Sequence, residues 1–184
     1  MNCSLAININ IAALLIISVV LLGAYYVQFV KGEYPCPLCL LQRFGMLGVA
    51  FGAMLNLRYG PRPAHYGVSL VSAVFGASVS ARQILLHIVP GTGGYGTSVL
   101  GLQLYTWAFI VFAAAILLIG LMMLFEKQFQ EDSQTKTPPR TSPLVTSVFF
   151  LVVFIAASNA VSAFLECGLG ECPANPVSYI ELNK

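Results

Sequence analysis

Charge is what this sequence lacks. Asp, Glu, Lys and Arg make up only 9% of its 184 residues, where a soluble domain carries about 25%. Nine basic and seven acidic side chains leave a net charge of +2. No run of Lys or Arg is present, which argues against a nucleic-acid partner. The glycine-rich stretch "GTGGYGTSVLG" (Gly91–Gly101) has neither the GK[ST] ending nor the preceding strand of a phosphate-binding loop. It does not read as a potassium filter either, because an apolar segment long enough to span runs up to Pro90 before it. What is abundant is apolar: 58% of the residues are hydrophobic, a composition suited to a bilayer.

A helix needs about 20 apolar residues to cross a membrane. Five windows qualify, running roughly over Ile11–Val30, Pro37–Leu57, Tyr66–Val89, Leu104–Phe125 and Leu144–Phe164. The first has no Lys or Arg ahead of it and an apolar stretch too long for a secretory signal, so it reads as a retained helix. The fold expected is all-α and polytopic, a four-helix transmembrane bundle plus a fifth transmembrane helix. The organisation expected is a core over 1–125, a polar Pro-rich cytoplasmic linker over 126–143, and a fifth span with a tail over 144–184. Gly48 and Gly52, a GxxxG in the second span, suit close helix packing. Tyr25, Tyr26, Tyr105 and Trp107 suit an interfacial aromatic belt.

Basic residues set the expected orientation. Arg58, Arg62, Lys127, Lys136 and Arg140 fall in two loops on one side, and only Lys31 and Lys184 on the other. The first group belongs in the cytoplasm. The N-terminus is then cytoplasmic and the C-terminal tail outside. Cys36, Cys39, Cys167 and Cys172 face the outer compartment, where disulfides persist, and Cys3 faces the reducing side.

The chemistry concentrates in "YPCPLCLLQRFGML" (Tyr34–Leu47). Pro37 fits the first turn of a helix, which makes Cys36 the N-cap. A thiolate there is favoured by the helix dipole. Cys36, Cys39 and Arg43 recur at i, i+3 and i+7, one helical face. A cation inside an apolar span costs about 2.5–3.5 kcal/mol on insertion scales and marks a functional site by default. Its task would be to hold an anion, either a Cys39 thiolate or a developing negative oxygen. The CxxC pair alone admits three readings: a redox centre, half of a zinc site completed by Cys167 and Cys172, or an inert bridge. An oxidising compartment disfavours free thiolates awaiting a metal. The redox reading is preferred and no metal is expected.

"CPLCLLQR" resembles the CxLCxxxR signature of the bacterial disulfide bond formation protein B (DsbB) family, inner-membrane thiol oxidases. "SARQILL" (Ser80–Leu86) and "LGLQLYTWAF" (Leu100–Phe109) are similar to its third helix and to the opening of its fourth. The resemblance covers about Ile11 to Phe125. It implies that a periplasmic thioredoxin-fold dithiol protein, DsbA-like, is reoxidised and that two electrons pass to a membrane quinone, ubiquinone or menaquinone. Cys39 would face the quinone, Cys36 would exchange with a second cysteine pair, and Arg43 would bind the quinone oxygen. Arg82 and His87 are further candidates for the quinone site. The family carries its second pair between helices three and four, where this chain has no cysteine. Cys167 and Cys172 in "ECGLGEC" are therefore expected to supply it, and the competing expectation is a structural bridge or no disulfide at all. A thiol reductase or electron conduit is the alternative within this class. A structural or transport protein with bridged cysteines is the alternative outside it.

Overall fold

A computed structural model describes residues 3–89, 91, 93–130, 143–170, 172–173, 176 and 178–182, without the side chains of positions 3, 130 and 144. Its helices are α1 (Cys3–Val30), α2 (Pro37–Tyr59), α3 (Pro63–Leu86), α4 (Leu104–Met123), the short α5 (Lys127–Gln130) and α6 (Pro143–Cys167). Five of them, all but α5, are long and apolar enough to cross a membrane. The protein is a multi-pass helical membrane protein.

Local chemistry sets the helix ends. Pro37 and Pro63 occupy first turns, where a missing N–H costs no intrahelical bond. Gly60, with φ of 84°, closes α2, and Gly168, with φ of 62°, follows α6, a conformation that glycine adopts without Cβ strain. The loop before α4 is more ordered than its glycine content suggested. It contains a small antiparallel hairpin, β1 (Ser98–Val99) and β2 (Leu102–Gln103). The two turn residues, Leu100 and Gly101, both have positive φ, as tight hairpins require.

The five long helices share one core. Leu14, Ile17 and Leu21 of α1 meet Met46, Val49 and Ala50 of α2, Ala73 of α3, Phe112 of α4, and Val152 and Ile155 of α6. Close packing of α2 on α3 rests on small residues. A Cβ on Gly48 would strike the Ser72 hydroxyl, and one on Gly52 would strike Ser69 and the His65 carbonyl. The expected role of the GxxxG is thus met. Large side chains such as Ile16, Val19, Phe44, Val71, Leu117 and Phe154 point outward, as lipid-facing surfaces do.

Two elements differ from the expectation. The start of the polar linker is helical and packed: Gln128 of α5 is fully buried and donates to the Met122 carbonyl while accepting from the Tyr66 hydroxyl. The rest of the linker, 131–142, lies outside the described residues. The C-terminal tail also turns back. A 3₁₀ turn, Ile180–Leu182, packs against α6.

At the end of the bundle away from Cys36, buried amides join the helices. Asn10 donates to the Tyr66 hydroxyl at 3.1 Å, and Asn56 Nδ2 donates to Asn10 Oδ1 at 3.1 Å. Asn56 in turn accepts from the Arg62 backbone N–H. Buried polar groups need such partners, and here they tie α1, α2 and α3 together.

Candidate active site

Cys36 ends an extended segment and caps α2, with φ of −68° and ψ of 161°. Its sulfur accepts the Cys39 backbone N–H at 3.2 Å. The two cysteines form a disulfide across a Cα–Cα distance of 5.0 Å. Cys36 is buried and Cys39 half-buried. Helix α3 supplies a donor to both sulfurs: the Gln83 side-chain amide lies 3.2 Å from Cys36 Sγ and 3.6 Å from Cys39 Sγ. Gln42 holds that amide in place by donating to Gln83 Oε1 at 2.8 Å.

Arg43 follows one turn below Cys39 and is only 7% exposed. It does not reach toward the surface. Its Nη1 donates to Gln28 Oε1 at 2.6 Å and its Nη2 to the Ala24 carbonyl at 3.3 Å. Its guanidinium carbon lies 5.1 Å from the centroid of the Tyr25 ring, a cation–π distance. Gln28 is a hub. Its Nε2 donates to Ser162 Oγ of α6 at 2.7 Å and to the Tyr179 hydroxyl of the tail at 2.9 Å. Tyr25 also reaches α6, donating to the Ile155 carbonyl at 3.2 Å. Tyr25 and Tyr105 are buried rather than interfacial, Tyr105 under the His87 ring. Trp107 donates to the Val99 carbonyl of the hairpin, and Tyr26 is exposed as a belt residue would be.

A cavity of about 510 Å³ lies between α1, α2 and α4 under the hairpin loop, and Cys39, Gln42, Arg43, Tyr95 and Tyr105 line it. Most of the remaining wall is apolar, with Leu21, Met46 and Val111 among its residues. The loop is fastened over it. Tyr95 donates to the Tyr34 carbonyl at 2.8 Å, and Glu33 accepts from both the backbone N–H and the hydroxyl of Thr97. Burial pushes the Tyr95 hydroxyl pKa up, and the negative charges of Glu166 and Glu33 add to the rise.

Cys167 and Cys172 are also bridged, with Cα atoms 4.5 Å apart. They sit at the end of α6 and the start of the tail, both half-buried. Arg82 is exposed on α3 and does not line the cavity. His87 is half-buried, with Nδ1 2.9 Å from the Gln83 carbonyl and its ring 5.4 Å from that of Tyr105. It touches the site through Tyr105 and Gln83. Among the described residues, no group of three or more His, Cys, Asp or Glu side chains is placed to hold a metal ion. Sequence reasoning missed Gln28, Gln42 and Gln83. The one signal in the sequence was an amide inside each of three apolar spans.

The described residues thus form a helical bundle with a capped, hydrogen-bonded CxxC disulfide one turn from a buried arginine. Residues 7–94, a little under half of the chain, match the family model "Disulfide bond formation protein DsbB". That span holds α1 to α3 and with them Cys36, Cys39, Arg43 and Gln83. Among relatives, a disulfide bond formation protein B of Marinobacter nauticus is 42% identical over 71 residues, 36% of this chain and 42% of that protein. One of Azoarcus sp. is 29% identical over 138 residues, 56% of this chain and 82% of that protein. The chain thus spans less than half the length of the Marinobacter relative, and of a Saccharophagus degradans one it spans 45%. No solved structure matches. Helix α6 and the second cysteine pair fall outside the matched domain.

Proposed function

We propose that this protein is a protein-dithiol:quinone oxidoreductase that generates disulfides for a periplasmic DsbA-like thioredoxin-fold protein. The observation that carries the reading is that Cys39 and Arg43 open onto the same largely apolar cavity. The cavity fits a quinone: its wall suits a hydrophobic ring and prenyl tail, and Gln42, Arg43 and Cys39 bring polar atoms to one region of it. When bound, a quinone supplies a two-electron, two-proton acceptor. Arg43 holds its oxygen and favours the Cys39 thiolate. Cys39 presents its sulfur to the cavity. Cys36, buried and bonded to Gln83, exchanges disulfides with Cys167–Cys172, which receives the donor's electrons. Tyr105, on the cavity wall, carries the His87 ring at the rim of the site.

In this reading the protein sits in the bacterial inner membrane, with 1–125 as the catalytic core and 144–184 as the helix and periplasmic tail that deliver electrons. The linker 126–143 is cytoplasmic, as is the N-terminus. The acceptor is ubiquinone or menaquinone.

The test is direct. Purified protein is mixed with a reduced thioredoxin-fold donor and a soluble quinone, and loss of quinone absorbance is followed. The expected result is catalytic quinone reduction that Cys39→Ser abolishes. No reduction by the unmodified protein, or full activity in Cys39→Ser, would overturn the reading.

A further inference from the structure

One carboxyl group is buried where no step above uses it. Glu166, in the last turn of α6, is 1% exposed. Its Oε2 has no hydrogen-bond partner among the described residues. A buried carboxyl with an unbonded oxygen is costly and is a functional candidate by default.

Its position follows from helical geometry. Ile155, Asn159, Ser162 and Glu166 recur at spacings of four, three and four, one face of α6. Ile155 accepts from Tyr25, and Ser162 accepts from Gln28, the residue that holds Arg43. One turn beyond Ser162, Glu166 comes within electrostatic reach of the Arg43 guanidinium. The other titratable groups around this pair are Tyr25 on α1, Tyr179 in the tail and Tyr95 in the loop, and Lys31 lies on the wall of the same cavity as Arg43. Glu33 is engaged with Thr97, and the Glu181 carboxylate lies against Gly168. Glu166 is therefore the acidic partner that α6 brings to Arg43.

We infer that Glu166 is a positioning residue that moderates the positive charge Arg43 offers to the Cys39 thiolate. Part of the Arg43 field is spent on Glu166, so less of it acts at the sulfur. Because Glu166 precedes Cys167 directly, the second cysteine pair is joined through one side chain to the group that tunes the first. Nothing in the matched domain supplies this, since α6 lies beyond it.

The inference rests on the function proposed above, but its test needs neither quinone nor donor, so the two fail separately. In a Cys36→Ala background with Cys167–Cys172 kept oxidised, the rate of Cys39 alkylation is measured against pH by mass spectrometry. Glu166→Gln is expected to lower the apparent thiol pKa of Cys39 by about one unit, the size of a nearby charge's effect. Glu166→Leu, which fills the buried site with an apolar side chain, shifts it the same way and serves if the amide variant does not fold. Glu166→Asp keeps the parent value. With Arg43→Gln also present, removal of the carboxylate moves the thiol by less than half as much. An unchanged pKa in the folded charge-removing variant would overturn the inference. So would equal shifts in the Asp and Gln variants, or an undiminished shift without Arg43.

Discussion

The Gln83 side-chain amide lies 3.2 Å from Cys36 Sγ, a bond from α3 to the disulfide that caps α2. An N–H donor stabilises a thiolate more than a neutral disulfide sulfur. It therefore favours the reduced form and raises the reduction potential of the pair. Gln83→Leu should lower that potential by roughly 10–30 mV, from about 0.5–1.5 kcal/mol for one hydrogen bond and about 30 mV per 1.4 kcal/mol for a two-electron couple. Equilibration against a dithiothreitol series, read by thiol alkylation, measures it. A value equal to the parent's means that the amide does not act on the sulfur.

Arg43 combines a buried charge, a fixed direction and an aromatic bed. Under the proposed function, Arg43→Gln should cut kcat/KM for the quinone by about 10²-fold, the usual loss when a preorganised electrostatic donor is removed. Arg43→Lys keeps charge but not the fork that bonds Gln28 and Ala24 together, so an intermediate loss is expected. Steady-state kinetics with varied quinone decides between them.

The tail is fastened through Gln28, which donates to Ser162 and Tyr179 at once. Gln28→Leu should free it. Hydrogen exchange across 178–182 is expected to accelerate at least several-fold, with exchange at the α2–α3 contact unchanged. Equal protection in both proteins would show that the tail is held by its packing on α6 alone.

Glycines in the helices divide into two kinds. A Cβ on Gly52 meets the His65 carbonyl oxygen at 2.6 Å and the Ser69 nitrogen at 2.9 Å, both backbone, while Gly23 and Gly120 have nothing within 4 Å. Gly52→Ala should destabilise by about 1–3 kcal/mol through overpacking. Gly23→Ala and Gly120→Ala should be neutral or mildly stabilising. Thermal unfolding in detergent ranks the three.

Much of the site could be read from local spacing. The Cys36 cap, Pro37 in the first turn, and a cysteine–cysteine–arginine face all depend on residues within eight positions of each other, and the structure places them as that spacing requires. Five spans followed from the apolar runs. What could not be read depends on which helix packs against which. Arg82 and Gln83 are neighbours about 100° apart on α3. Charge drew attention to the first, yet the neutral amide faces the sulfurs and Arg82 is exposed. Tyr25 looked interfacial by type, and only the approach of α6 makes it an inner wall. Gln28 carries no periodic signal at all, because its partners lie 15, 134 and 151 positions away.

The cavity between α1 and α4 has one more consequence. Its wall includes Val20, Tyr26 and Val111, residues of helices that themselves face lipid. Under the proposed reading the acceptor arrives by lateral diffusion within the membrane, and the donor arrives from water. The two substrates are then dilute in different solvents. Saturation by quinone should scale with its mole fraction in the lipid, and adding empty lipid at constant total quinone should slow turnover although nothing in the aqueous phase has changed.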